Sequence, residues 1–177
     1  MFSFPAADDI MISANRDRGA DRVSVVKANT GDVPELVELR LAYLREDSGP
    51  LDDGAADAIQ KGLPEYFRTH LGRDLFAYGI REDGHIVSCA FLLVVEKPMS
   101  PAFLNGRTGI VLNVYTRPSY RRRGYAKRVM ETLLSEAKAK ELSVIELKST
   151  EDGYPLYKTA GFSDDRSKYR PMKWINE

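Results

Sequence analysis

The residues best suited to chemistry form a basic stretch that contains a single glycine. Six arginine and lysine side chains and no acidic one lie between residues 117 and 128, and Gly124 stands among them. The stretch runs from a predicted strand into a predicted helix, so the first N–H groups of the helix point towards the end of the strand. Those N–H groups and the positive end of the helix dipole attract anions. Gly124 lets the backbone approach a ligand, and the small Ala126 leaves the next turn unobstructed. The pattern therefore predicts a phosphate or pyrophosphate site.

Two common phosphate-binding motifs do not account for this turn. A Walker A loop requires Gly-x-x-x-x-Gly-Lys-Ser/Thr, which does not occur in the sequence. A dinucleotide fingerprint requires three spaced glycines, whereas residues 123–127 contain one. From the spacing alone, an arginine-rich helix start that is merely solvated stays an alternative.

Hydrophobic patterns along the chain predict the elements that position the turn. Residues 109–116 read as a buried strand, and residues 126–137 carry a clear helical stripe. The pattern predicts further helices over residues 32–48, 55–70 and 154–160, and further strands over residues 23–26, 75–80, 86–94 and 144–147, near Phe162 and over residues 172–174. The turn sequence at residues 82–84 predicts a hairpin. Together with a βαβ crossover, this order predicts one mixed sheet with helices on both faces.

The composition indicates one globular domain. The chain of 177 residues is 43% hydrophobic and 29% charged, which is typical of a folded protein. Because Cys89 is its one cysteine and His70 and His85 are its two histidines, we expect no disulfide and no metal site. No apolar run approaches the roughly 20 residues that span a bilayer. We therefore expect a cytoplasmic protein without a membrane partner.

The charge is locally uneven although the net charge is zero. Residues 1–57 carry twelve acids and six bases, and the compensating excess of positive charge fits within residues 117–128. The basic cluster is confined to this stretch, and its only aromatic residues are Tyr120 and Tyr125. Both points argue against nucleic-acid binding. It favours one anion site and an acidic region elsewhere.

The strand, turn and helix resemble the coenzyme A-binding motif of the GNAT superfamily of N-acetyltransferases. That motif is a strand, a proline and then Gln/Arg-x-x-Gly-x-Gly/Ala at a helix start. Arg121, Gly124 and Ala126 occupy its three defining places after Pro118. The family's Leu-Tyr-x-x-x-Gly-Phe also matches residues 156–162. Residues 1–21 show neither helical nor strand periodicity and read as an N-terminal extension, while the resemblance implies a single GNAT-like domain over residues 22–177.

The resemblance implies an α/β (α+β) fold. Its mixed, mostly antiparallel sheet would have six or seven strands, helices on both faces and a bulged, splayed fourth strand. Acetyl-CoA, used as co-substrate without a metal, would place its pantetheine arm against that strand and its pyrophosphate on the backbone N–H groups of residues 122–127. The implied binding residues are Val114, Tyr115, Thr116, Arg121, Arg122, Arg123, Gly124, Tyr125, Ala126, Lys127, Ser149 and Thr150. Ser149 and Thr150 stand where the family often has an asparagine, and a simple turn is the alternative for them.

Two residues take catalytic roles by resemblance. Tyr157 matches the tyrosine that commonly protonates the departing thiolate, and the alternative is a packing role. The backbone N–H of Val114 matches the donor that stabilises the tetrahedral oxyanion. The general base is not evident, since Asn113 stands where some members have a glutamate and Glu146 reads as a solvent-facing or paired acid. Ordered water serves this purpose in many members.

The resemblance implies transfer of acetyl from acetyl-CoA to a primary amine by direct attack. The acceptor would be a small molecule or a peptide, drawn in by the acidic residues 45–53, for which a solvated loop is the alternative. A different acyl-CoA and a non-catalytic CoA-binding module are alternative functions. Since small acetyltransferases of this family are often dimers, we expect residues 1–21 to pack on a neighbouring surface, such as that of a second subunit.

Overall fold

The computed structural model describes residues 23–176, so the expected packing of residues 1–21 falls outside the described residues. Its helices and strands are, in chain order, β1 (Val25–Lys27), α1 (Val33–Ser48), α2 (Asp53–His70), β2 (Leu75–Glu82), β3 (His85–Glu96), β4 (Arg107–Thr116), α3 (Tyr125–Ala139), β5 (Val144–Glu146) and α4 (Tyr154–Thr159). Short 3-10 turns at Thr30–Asp32 and Pro118–Tyr120 precede α1 and α3.

The five strands form one mixed sheet in the order β1-β2-β3-β4-β5. Neighbouring strands are antiparallel except β4 and β5, which are parallel because α3 carries the chain back across the sheet. The predicted hairpin joins β2 and β3. Its two turn residues, Asp83 and Gly84, both have positive φ angles, of 50° and 82°, as tight hairpin turns require.

Each face of the sheet is covered by helices, as the sequence predicts. On one face, α1 and α2 bury Leu36, Leu39 and Phe67 against the sheet, where Phe67 meets Phe91 edge to face. On the other face, α3 buries an apolar stripe made of Val129, Met130, Leu133 and Ala137. The sheet therefore lies between two apolar cores, which hold its central strands in place.

The fourth strand is bulged and splayed, as the resemblance implies. Cys89 of β3 pairs with Tyr115 and Phe91 with Leu112, so two residues of β4, Asn113 and Val114, lie opposite one residue of β3. Asn113 adopts a left-handed φ of 52° there. The parallel pairing with β5 covers only residues 108–110 of β4. β5 ends at Glu146, so residues 111–116 of β4 have no strand partner on that side among the described residues, and we call this side the gap beside β4.

The expected six or seven strands are a point of difference, because the described residues form five. The strands predicted near Phe162 and over residues 172–174 do not form. After α4 the chain passes through the polar segment 163–168, and Asp164 binds back to Tyr154. Pro171 then lacks the N–H that a ladder needs, and Trp174 is 84% exposed. Short apolar runs predicted these strands, but such runs form strands only when a neighbouring strand edge pairs with them.

Candidate active site

The turn between β4 and α3 has the conformation of an anion site. Arg122 and Gly124 adopt positive φ angles of 62° and 78°, which turn the chain abruptly into α3. The helix bond from the Arg128 N–H to the Gly124 carbonyl is 3.2 Å long. The N–H groups of residues 125–127 precede it, in the part of a helix that offers no intrahelical acceptors. A Cβ atom on Gly124 would meet no atom within 4 Å. The described residues thus leave the front of the turn open to a ligand.

Most arginines of the basic stretch bind acidic side chains. Arg121 pairs with Glu46 and donates from Nε to the Thr116 carbonyl at 2.9 Å. Arg123 lies 3.5 Å from a Glu82 carboxylate oxygen. Arg117 also has an acidic partner, Glu38, at 2.9 Å, and this hydrogen bond lowers the pKa of the Glu38 carboxyl. These side chains fasten the turn to α1 and to the hairpin.

The other predicted residues of the stretch differ in burial and in whether they have an acidic partner. Tyr125 is buried and donates its hydroxyl to Glu82, and Ala126 is half-buried at the start of α3. Arg122 is exposed and has no acidic partner within 4.0 Å among residues 23–176. Lys127 is also exposed, with Glu131 at 3.9 Å. Arg122 and Lys127 are the side chains of this group best placed to meet an added anion.

The bulge of β4 ends at this turn. The side chain of Tyr115 is buried and donates a hydrogen bond of 2.8 Å to Glu46, while that of Thr116 shares one of 2.8 Å with Ser88. Burial opposes ionisation of the Glu46 carboxyl, but hydrogen bonds from Arg121 and Tyr115 outweigh it and lower its pKa. The half-buried Val114 packs towards α3. The backbone of residues 114–116 therefore faces the gap without a β5 partner.

Tyr157 lies in α4, in the same apolar cluster as Val114. Its ring packs edge to face on Phe162, with centroids 6.1 Å apart. The ring also lies close to Gly153, since a Cβ atom added there would be 3.0 Å from the Tyr157 Cε2 atom. Burial raises the pKa of Tyr157 to about 12, with a smaller effect from Tyr43. The hydroxyl has no hydrogen-bond partner within residues 23–176, whereas that of neighbouring Tyr154 donates to Asp164 at 2.9 Å. Tyr157 is therefore protonated at neutral pH and able to donate a proton.

Ser149 and Thr150 lie in the turn between β5 and α4. The Ser149 hydroxyl donates to the Thr150 carbonyl at 2.7 Å, and the Thr150 hydroxyl accepts from the Gly153 N–H at 3.2 Å. Both side chains are exposed. These bonds within the turn favour the alternative reading of a turn pair, and their binding role stays a prediction.

A cavity of about 250 Å³ lies on the other side of β4, against α1 and α2. Its lining consists of Arg40, Leu63, Tyr66, Phe67, Leu75, Phe91 and Leu112. The Arg40 guanidinium donates to the Oδ1 atom of Asn113, 3.3 Å away in the bulge. Sequence reasoning missed Arg40. The sequence does contain a signal for it. Arg40 follows Val37 by three residues and Leu36 by four, so a charged residue lies on the apolar stripe of the helix.

Several acids and the cysteine have structural roles. Asp52 caps α2 by accepting from the Ala55 N–H at 2.8 Å, and Glu46 is held by Arg121, which favours the structural reading for part of the acidic segment 45–53. Glu146 lies 3.7 Å from Lys97, as expected for a paired acid. Burial raises the pKa of the Cys89 thiol to about 12, so it is not a nucleophile at neutral pH.

Two further features concern residues 23–176 as a whole. No group of three His, Cys, Asp or Glu side chains in this range is arranged to hold a metal ion. None of the helices described for this range combines the length and apolar character that crossing a membrane requires.

Comparisons with known proteins point to one family. The model of the Acetyltransferase (GNAT) family matches residues 36–162. No curated protein shows significant sequence similarity to the chain. A predicted acetyltransferase from Clostridium acetobutylicum, solved with acetyl-CoA, is 27% identical, with a TM-score of 0.75 over 85% of this chain and 95% of that one. A GCN5-related N-acetyltransferase from Ralstonia eutropha JMP134 is 25% identical, with a TM-score of 0.71 over 84% and 97%.

A third similar structure shows how widely the fold is used. The ribosomal-protein-alanine N-acetyltransferase from Brucella melitensis biovar Abortus 2308 is 21% identical, with a TM-score of 0.63 over 85% of this chain and 99% of that one. At this identity the likeness concerns the fold alone. The family match, in contrast, covers most of the chain, including the bulged strand, the glycine turn and α4. The chain is therefore an enzyme of the GNAT acetyltransferase family.

Proposed function

We propose that the enzyme transfers the acetyl group of acetyl-CoA to a primary amine by direct attack, with Tyr157 as the general acid. The observation that carries the proposal is the open turn at Gly124 at the end of a bulged strand that has no β5 partner beyond residue 110. Tyr157 and Val114 both pack against the apolar cluster under α3, which supports the role of Tyr157. The similar structure from Clostridium acetobutylicum, solved with acetyl-CoA, supports the choice of donor.

The residues present suit acetyl-CoA. The pyrophosphate would lie on the N–H groups of residues 122–127, with Arg122 and Lys127 adding positive charge. The pantetheine arm, which carries amide groups, would pair with the backbone of residues 114–116 in the gap beside β4. Arg121 and Arg123 would act indirectly, since their bonds to Glu46 and Glu82 hold the turn in place.

The chemistry needs few protein groups. The neutral amine attacks the thioester carbonyl carbon, forming an N–C bond, and the Val114 N–H stabilises the oxyanion. As the tetrahedral intermediate collapses, the C–S bond breaks and the Tyr157 hydroxyl protonates the thiolate. The amine loses its extra proton to solvent, and the Tyr157 phenolate regains a proton from solvent. The products are the N-acetylated amine and free coenzyme A.

The two remaining functions differ in what they predict. A non-catalytic CoA-binding module would bind acetyl-CoA without turnover, and the presence of Tyr157 at the position of the family's general acid argues against it. A longer acyl donor would need more room beside β4.

Free coenzyme A release with acetyl-CoA and a panel of amines tests the proposal. No release with any amine, despite acetyl-CoA binding, would contradict it and favour the binding module.

A further inference from the structure

Arg40 places a positive charge in an otherwise apolar cavity. It follows buried Leu36 and Val37 on the inner side of α1, and its half-buried side chain forms part of the cavity wall. A guanidinium that is partly removed from water gains most from a carboxylate, which it can bind through two parallel hydrogen bonds.

No acidic oxygen within residues 23–176 lies within 4.0 Å of Arg40. Its hydrogen bond goes to the neutral amide of Asn113, and its Cζ atom lies 5.5 Å from the centre of the Tyr43 ring. In contrast, Arg117 and Arg121, which bind α1 from the turn, each have a glutamate partner. Within residues 23–176, the guanidinium that binds the bulge is thus left without an anionic partner.

The rest of the cavity favours an apolar group. Apart from Arg40, its walls are aliphatic and aromatic, with Phe67 and Phe91 at the base and Tyr66 and Leu112 towards solvent. A ligand here would combine one anionic group with one apolar substituent.

Arg40 links the cavity to the bulge of β4. Asn113, which accepts the Arg40 hydrogen bond, precedes Val114, the proposed oxyanion donor. In an α-amino acid the amine and the carboxylate are attached to the same carbon. A carboxylate on Arg40 would therefore hold the amine on the side of β4 where the bulge lies while the side chain occupies the cavity.

We propose that the acceptor is an α-amino acid with an apolar or aromatic side chain, so that the products are an N-acetyl amino acid and coenzyme A. This inference rests on the proposed function. Arg40 would bind the carboxylate, and the cavity would take the side chain. The bond changes are those given above, with the α-amine as the attacking group.

The test compares acceptors that differ in the carboxylate alone. The kcat/KM values for L-phenylalanine and L-leucine are measured beside those for phenethylamine and 3-methylbutylamine, their decarboxylated counterparts. We expect the amino acids to exceed these amines by about 10- to 100-fold, which is the effect of a charged hydrogen bond. Arg40→Gln should remove most of this preference. Arg68→Gln, in an exposed residue of the neighbouring helix α2, should keep it.

The outcomes separate the two proposals. Equal kcat/KM values for each pair in the wild type, or acetylation confined to amines without a carboxylate, would overturn the inference while the proposed function stands. An unchanged preference in Arg40→Gln would also overturn it. No acetylation of any amine would instead contradict the proposed function. Because the wild-type comparison needs no variant, the test does not depend on how well Arg40→Gln folds.

Discussion

The hydroxyl of Tyr157 is protonated at neutral pH, and no group in residues 23–176 accepts its hydrogen bond, so its proton is available to a bound thiolate. Tyr157→Phe keeps the ring and its contact with Phe162, so the fold and acetyl-CoA affinity should change little. We expect kcat to fall by about 10²- to 10⁴-fold, the usual effect of losing a positioned proton donor. The Michaelis constant for acetyl-CoA should stay within a few-fold, since the loss is confined to the transition state.

Tyr154→Phe is the matched control, because it removes a hydroxyl from the same helix that donates to Asp164 instead. Its kcat should remain close to the wild-type value in the same steady-state assay. Near-normal turnover of Tyr157→Phe would mean that solvent protonates the thiolate and that the tyrosine only packs. Normal turnover with much weaker acetyl-CoA binding would make Tyr157 a binding contact.

The same residue predicts a pH dependence. The pKa of Tyr157 is raised from 10.0 to about 12, so the protonated, active form persists well above neutral pH and is lost only as the pH rises through about 12. Deprotonation of the amine raises the rates of the wild type and Tyr157→Phe alike. The ratio of their kcat values should therefore be constant between about pH 7 and about pH 10. A ratio that falls within this range would show that Tyr157 titrates near its ordinary value.

In the turn before α3, we expect backbone N–H groups rather than side chains to provide the main contacts to the pyrophosphate. Gly124→Val adds a side chain to the open front of the turn and strains a φ of 78°. We expect the variant to lose the rise in melting temperature that acetyl-CoA gives the wild type, since binding to the folded state alone produces that rise. Thermal denaturation with and without acetyl-CoA measures it.

Gly72→Val is the control for strain alone. Gly72 has a similar φ of 86° and equally open surroundings, but it lies in the turn between α2 and β2. This variant should be destabilised while keeping the full acetyl-CoA-induced shift. If Gly124→Val kept that shift as well, the turn would not be the pyrophosphate site.

Local patterns were sufficient to predict the elements around the site. The apolar stripe of α3, the strand before it and the single glycine are contiguous in sequence, so periodicity and motif spacing placed them correctly. The roles of Arg121 and Arg123 were not predictable in this way. Their partners, Glu46 and Glu82, are more than forty residues away, and only the folded chain brings them together. Arg40 was missed because its cavity forms between elements distant in sequence.

The described chain leaves apolar side chains on its surface after α4. Met172, Trp174 and Ile175 are 92%, 84% and 74% exposed, and β5 pairs with β4 alone. Exposed apolar side chains and a strand at the edge of a sheet each favour association with another chain. We propose that the enzyme forms a symmetric dimer in which each C-terminal segment covers β5 of the partner, since a two-fold axis lets both copies exchange the same contact.

Trp174 is the one tryptophan of the chain, so its fluorescence reports on this segment directly. On dilution, the emission should shift to longer wavelength as water reaches the indole, in step with a fall in solution mass from dimer to monomer. Trp174→Ser should weaken the dimer, because it removes the largest apolar surface of the segment, while Tyr169→Ser serves as a comparison nearer to α4. A short-wavelength emission and a monomeric mass at every concentration would show that the segment folds back on its own chain. A long-wavelength emission throughout, with a mass that Trp174→Ser leaves unchanged, would mean that the segment stays in water and any association uses another surface.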